Sequence, residues 1–305
     1  MKKKEEFQTS IGGQALIEGI YMRSPSKGCI AIRQPDGEIF IEVEDIRITK
    51  YSRIPFVRGA ISVVDSLVKG YKTIMKSADV AFEEDELEKG KFDSWLEEKL
   101  GDKLFTTVGT IGAVLGGVLS IVLFLILPTL ITGLLSRYLP IEGFKAAIEG
   151  LLKIFIFIGY LFLVTRIKEI RRVFEYHGAE HKTVACYEAR DELTVENVKE
   201  YSRFHPRCGT SYLFLVLIIS IAIFSFVPFT NTLLRAGIKL LMIPVIMGIA
   251  YEVLRYAGKH SNIVAKILSA PGLWVQRLTA FEPDETQIEV AIAAMKQVIP
   301  ETGEV

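Results

Sequence analysis

Histidine occurs four times in 305 residues, and two of the four fall in Tyr176-His177-Gly178-Ala179-Glu180-His181. On an α-helix, residues four apart share one face, so both imidazoles can reach a single ion. Glu180, three residues after His177, stands beside them on that face. Two histidines with a carboxylate between them suit a divalent metal, with zinc the first candidate and Glu180 the prospective general base for hydrolysis.

The order His-x-x-Glu-His is that of the inverted zincins, in which the histidines hold zinc and the glutamate activates water. Shuffled residues would produce it in roughly a few chains per thousand. A plainer arrangement bonds the histidines to lipid phosphates or backbone carbonyls, with Glu180 paired to Lys182. Further along, His205-Pro206-Arg207-Cys208 has the His-x-x-Cys spacing of zinc ligands. If both His205 and Cys208 joined His177 and His181, the sphere would be closed and structural; with only one of them, a position would stay open for catalysis. Glu252 is a further candidate, as a third ligand or as a residue that orients a histidine, with an ion pair to Arg255 as the ordinary alternative. His260 reads as an interfacial residue. Glu282 and Asp284 could reach a cytosolic site, although Asp284 has the position of a helix N-cap.

These residues need elements to hold them, and the chain supplies long apolar ones. No charge occurs between Lys103 and Arg137 or between Arg207 and Arg235. Both stretches exceed the roughly 20 residues a helix needs to cross a bilayer. A first span is expected within 104–136, tilted or kinked at Pro128. The second, 146–165, must accept Lys153 snorkelling and pairing with Glu149 at i,i+4; it is expected to run on as a helix as far as His181. The third lies within 210–229 and the fourth at 237–255.

Around them, residues 29–48 alternate with period two about Pro35-Asp36-Gly37, the pattern of a β-hairpin. The preceding Ser10-Ile11-Gly12-Gly13-Gln14-Ala15-Leu16-Ile17-Glu18-Gly19 lacks the Lys-Ser/Thr ending of a phosphate loop and reads as a glycine-rich turn. Residues 60–78 form an amphipathic helix lying on the membrane or the sheet. Residues 83–99 form a solvated, charge-rich helix or linker. Pro271 to Leu278 is a Trp-anchored interfacial segment, and Ile288, Ile292, Met295 and Ile299 make the core-facing stripe of a last helix.

Lys+Arg and Asp+Glu are equal at 36 each, so bulk charge gives no reason to expect a nucleic-acid partner. Distribution matters more. Nine Lys and Arg lie in 166–210, against two in each of 137–147 and 229–239, which places both termini and the central loop in the cytoplasm. Three scattered cysteines, Cys29, Cys186 and Cys208, read as thiols, and the N-terminus leads into no apolar signal core.

Taken together, Gly12-Gly13-Gln14-Ala15-Leu16-Ile17-Glu18-Gly19, the 176–181 stretch, Leu193-Thr194-Val195-Glu196-Asn197-Val198, residues 204–211 and residues 271–278 give a chain that resembles the YqhQ-like family over essentially its whole length. The resemblance implies a bacterial membrane protein of no established function, sometimes labelled a predicted metal-dependent enzyme, with His177, Glu180, His181, His205 and Cys208 as the places to look.

The expected fold is an α-helical integral membrane protein of about four transmembrane helices with a small α+β N-terminal cytosolic domain. Its parts are a cytosolic domain at 1–103, a transmembrane hairpin at 104–166, a cytosolic loop at 167–209, a second hairpin at 210–255 and cytosolic helices at 256–305. Its one evident partner is the lipid bilayer. The expected function is that of a cytoplasm-facing membrane metalloprotein, a metal-dependent hydrolase using Glu180 as general base. Two alternatives stay open: a transporter or channel component, from the two long-plus-short hairpins with Lys153 and Glu252 near them, and a non-catalytic scaffold with a structural metal.

Overall fold

The computed structural model describes residues 8–46, 54–82, 104–141, 144–225, 232–260 and 262–300. The stretch 83–99 lies outside them. The chain divides into two compact units, residues 1–81 with 161–305, and residues 82–160.

In the larger unit, four strands, β1 Gly12–Leu16, β2 Gly19–Arg23, β3 Lys27–Arg33 and β4 Ile39–Asp45, form an antiparallel sheet in sequence order. The expected hairpin is β3–β4, with Ile32 opposite Phe40 and Ala31 opposite Ile41. The glycine-rich segment is a correction. Instead of a turn it is a second hairpin, in which Leu16 pairs with Gly19 across Ile17 and Glu18. Its glycines serve close backbone approach: a Cβ on Gly13 would stand 2.6 Å from the Tyr21 carbonyl oxygen, and one on Gly19 2.5 Å from that of Ala31. Glu18 takes a positive φ of 48° at the turn, where its carboxylate accepts hydrogen bonds from Arg172 and the Tyr176 hydroxyl.

Alternation along β2 and β3 feeds two cores. Ile20, Met22, Cys29 and Ala31 meet Tyr176, Ile288, Ala291 and Met295, whereas Tyr21, Ile30 and Ile32 meet Leu16 and Ala81. The first set docks helices α5 (Lys168–Glu188) and α10 (Glu285–Val298), and the second receives the end of α1 (Val57–Ala81). Asp284 caps α10 through a capping box with Gln287, as its position suggests.

Among the described residues, three helices are long and apolar enough to cross a membrane, by length and composition. In the smaller unit, α2 (Leu104–Ile121), a π-turn at Val122–Ile126 and α3 (Leu127–Tyr138) run continuously and contain the apolar stretch Gly109–Tyr138, of mean hydropathy 2.7. The irregularity sits just before Pro128, whose missing N–H cannot complete the regular ladder. Within α4 (Lys145–Val164), Lys153 bonds Glu149 at 2.9 Å, and Thr129 Oγ1 donates to the same carboxylate at 3.4 Å. In the larger unit, α8 (Thr232–Lys259) holds the stretch Leu241–Lys259. The third expected span is a shorter apolar helix, α7 (Gly209–Ser225), packed with α8 and α9 (Ile263–Thr279). The Trp-anchored segment is part of α9, with Trp274 exposed and Arg277 over its ring.

Helix α4 does not continue to His181. The chain turns at residues 165–167 and Ile167 is extended, so α5 starts afresh at Lys168 and packs on the sheet. Short α6 (Val195–Lys199), capped by Thr194, joins α5 toward α7. Gly178, between the two histidines, lets the chain after α9 press against α5, and a Cβ there would lie 1.9 Å from the Phe281 carbonyl oxygen. Replacing Gly178 with Ala should therefore destabilise the protein by about 2 kcal/mol or more. Gly117→Ala, with nothing within 4 Å of the new Cβ, should not, as thermal unfolding in detergent would show.

Candidate metal centre

One nitrogen from each of His177 and His181 and the sulfur of Cys208 lie within 4.8 Å of one another. The histidines come from the sheet-facing length of α5, and Cys208 from the residue before α7. How the rings are held matters most. His177 Nδ1 bonds the Thr279 carbonyl at 2.5 Å and His181 Nδ1 bonds the Arg203 carbonyl at 2.6 Å. A carbonyl only accepts, so each Nδ1 carries a proton and, in the neutral ring, each Nε2 is left as a lone-pair donor. His177 Nε2 lies 3.1 Å from Cys208 Sγ.

Glu180 sits between them, buried, with Oε1 accepting the Gly13 N–H at 2.8 Å. Its Oε2 is buried without a hydrogen-bond partner. An orphaned carboxylate oxygen beside two lone-pair nitrogens and a thiol is the arrangement a cation, or a water held by one, would satisfy. The residues thus fit a divalent metal in donor chemistry, with their ligand atoms gathered within 4.8 Å.

Charges inside the cluster are strongly coupled. Burial disfavours the His177 imidazolium, but the Cys208 sulfur and Glu180 outweigh it and push the pKa up to about 9. Burial also opposes the Cys208 thiolate, yet the two imidazoles hold its pKa well below the usual thiol range. Glu180 goes the other way, its pKa raised by burial that the imidazoles only partly offset.

His205 stands apart from the three. Gln276 grips its backbone from both sides, accepting from its N–H and donating to its carbonyl. Its ring turns to Glu188, with Nε2 3.4 Å from Oε2. Glu188, which sequence reasoning passed over, also receives Arg207 and the Thr9 N–H; its carboxyl is held low despite burial by His205, Arg207 and Thr9. It lies seven residues after His181, two turns along the same helical face, a spacing that could have flagged it.

Glu252 lies outside the cluster of His177, His181 and Cys208. Both its oxygens take Arg58, at 2.7 and 2.5 Å, and this corrects the expected pairing with Arg255. Lys182 pairs with Glu282 at 2.9 Å rather than with Glu180. Asp284 serves α10 as its cap, and His260 stacks on Tyr256 with Nδ1 at its carbonyl.

Residues 54–301 match the family model DUF1385, described as a protein of unknown function. The chain belongs to the DUF1385 family. It is 32% identical over 301 residues to the uncharacterized protein YqhQ of Bacillus subtilis (strain 168), covering 97% of this chain and 94% of that protein. No solved structure matches it. The DUF1385 match takes in His177, Glu180, His181 and Cys208 but not Gly13, which supplies the N–H to Glu180 from outside the matched region.

In metal-free protein, His177 should stay protonated at neutral pH and lose its proton through about 9. Cys208→Ser removes the group that most favours the charged ring and leaves Glu180 and the Thr279 carbonyl alone to oppose burial. The transition should then move down from about 9, as read by NMR titration of the histidine side chains.

Proposed function

We propose that this chain is a cytoplasm-facing membrane metalloprotein that binds one zinc ion through His177, His181 and Cys208 and uses it for hydrolysis. The observation that carries the reading is the paired orientation of the imidazoles, each Nδ1 spent on a main-chain carbonyl with the ligand atoms gathered within 4.8 Å. Tetrahedral zinc with bonds of about 2.0 to 2.3 Å needs ligand atoms roughly 3.3 to 3.8 Å apart, so a shift of about 1 Å closes the site. Three protein donors leave a fourth position free, the pattern of catalytic rather than structural zinc.

His177, His181 and Cys208 would hold the ion, which would supply Lewis acidity for activating a water. Glu180 would serve as base through Oε2, which has no hydrogen-bond partner. The Gly13 N–H keeps Oε1 in place. Arg203 and Thr279 hold the rings through their carbonyls, so the ligands need no reorganisation when the proton moves.

The 3.1 Å contact of His177 Nε2 with Cys208 Sγ also favours a second reading, a metal-free thiolate nucleophile activated by His177. Metal analysis separates the two. Wild-type protein purified without chelator should carry about one zinc per chain, and the His177→Ala/His181→Ala double variant almost none. Equal, near-zero metal in both would leave the nucleophile reading standing instead.

For topology, the proposal is four spans: Gly109–Tyr138, Lys145–Val164 and Leu241–Lys259, which meet the length and hydropathy of a crossing helix, together with the shorter Gly209–Ser225. The Lys and Arg bias puts both ends inside. Fluorescent-protein fusions at either terminus should fluoresce, and alkaline phosphatase fusions there should be inactive; the reverse pattern would invert the orientation.

A further inference from the structure

Resting on the metal-site reading, we propose that the cavity facing that site binds a phosphate-type oxyanion on Arg255 and Lys259. The cavity measures about 560 Å³, and its wall includes His177, Glu180, His181 and Cys208 as well as Arg255 and Lys259. That volume is within the range of small-molecule sites. A molecule that fills it reaches the ligand cluster and the two cations together.

Arg255 and Lys259 lie four residues apart on α8 and so share one face. Like charges at that spacing repel unless an anion lies between them. Among the described residues neither forms an ion pair. Glu252, whose field Arg255 shares, gives both oxygens to Arg58. The contrast with Arg207 on the same wall is direct, because Arg207 is occupied by Glu188 and the Thr9 carbonyl. A guanidinium fork beside an ammonium matches a tetrahedral oxyanion in both shape and charge, and a phosphate ester brings more charge than a single carboxylate.

The rest of the lining sets the other end of the ligand. Tyr251 and Leu254 border the cavity from α8 within the apolar stretch Leu241–Lys259. Glu180 borders the same space, and its buried Oε2 has no donor. A phosphate-bearing molecule with an apolar body or a hydroxyl near the metal satisfies all three walls. That chemistry is offered either by a phospholipid headgroup or by a soluble phosphate ester.

The test uses full-length protein in neutral detergent, both stripped of metal and zinc-loaded. One arm titrates inorganic phosphate by calorimetry. The other measures retention of phosphatidylglycerol against phosphatidylcholine by native mass spectrometry. Binding of phosphate or selective retention of phosphatidylglycerol is expected, weakened about tenfold or more by Arg255→Gln and by Lys259→Gln, the size expected for losing charge-assisted bonds. Lys259 is exposed, so its replacement should leave the fold intact. Retention of phosphatidylglycerol alone assigns the lipid source, and phosphate binding alone assigns the soluble one. Failure to bind either probe, or unchanged binding in both variants, would overturn the proposal. Zinc content of the same samples keeps the two readings apart: anion binding without metal refutes only the metal centre, and metal without anion binding refutes only this inference.

Discussion

The main-chain carbonyls of Thr279 and Arg203 take the Nδ1 protons of His177 and His181, and the geometry of the centre depends on those two bonds. A neutral imidazole has one donor and one acceptor nitrogen, so committing Nδ1 to a carbonyl settles the tautomer and aims the Nε2 lone pair. Thr279 ends α9 and Arg203 lies in the loop before Cys208. The centre therefore forms only when α9, that loop and α5 close on one another. Gly178 permits the closure by leaving room for the Phe281 carbonyl, and Gln276 holds the loop at His205.

The sheet contributes a second restraint. A buried carboxylate is costly unless bonded, and the Gly13 N–H offsets part of that cost for Glu180. The hairpin that carries Gly13 is tied to α5 by Arg172 and Tyr176 through Glu18. The strained φ at Glu18 is thus tolerated where its side chain is fastened. On its other side, α1 is held to α8 by Arg58 and Glu252, which links the sheet to the apolar helices within the same unit.

What could be read from the sequence was local. Alternation in β3 and β4, the Asp284 cap and the apolar stretches each act over a few residues, where spacing alone identifies the element. The β1–β2 hairpin was hidden because its glycines lower strand propensity, although their purpose is close backbone approach. Lost too was the break at 165–167, since apolar spacing on both sides of it is helical. Pairing of Glu252 with Arg58 spans 194 residues, and no periodicity reports a contact of that range. For the cluster, spacing pointed to His177, Glu180, His181, His205 and Cys208 alike but could not say that Cys208 and not His205 lies with the other two, because that turns on the Gln276 clamp and on Glu188.

Charge balance bears on what the centre holds. With Cys208 as thiolate and Glu180 ionised, two negative charges sit within a buried cluster whose rings are neutral in the tautomers their carbonyl bonds select. Without a cation, the cluster meets that cost by charging His177 and by favouring the protonated form of Glu180, the directions their pKa values take. Protonating Glu180 would remove the proposed general base, and charging His177 would remove a proposed ligand. A divalent cation cancels both anions while leaving both rings neutral and Glu180 ionised. A monovalent cation would leave one charge uncompensated in a low-dielectric site. The protonation states that the proposed hydrolysis needs are therefore the ones a divalent ion would stabilise, which ties the general-base role proposed for Glu180 to the metal binding proposed for the two histidines.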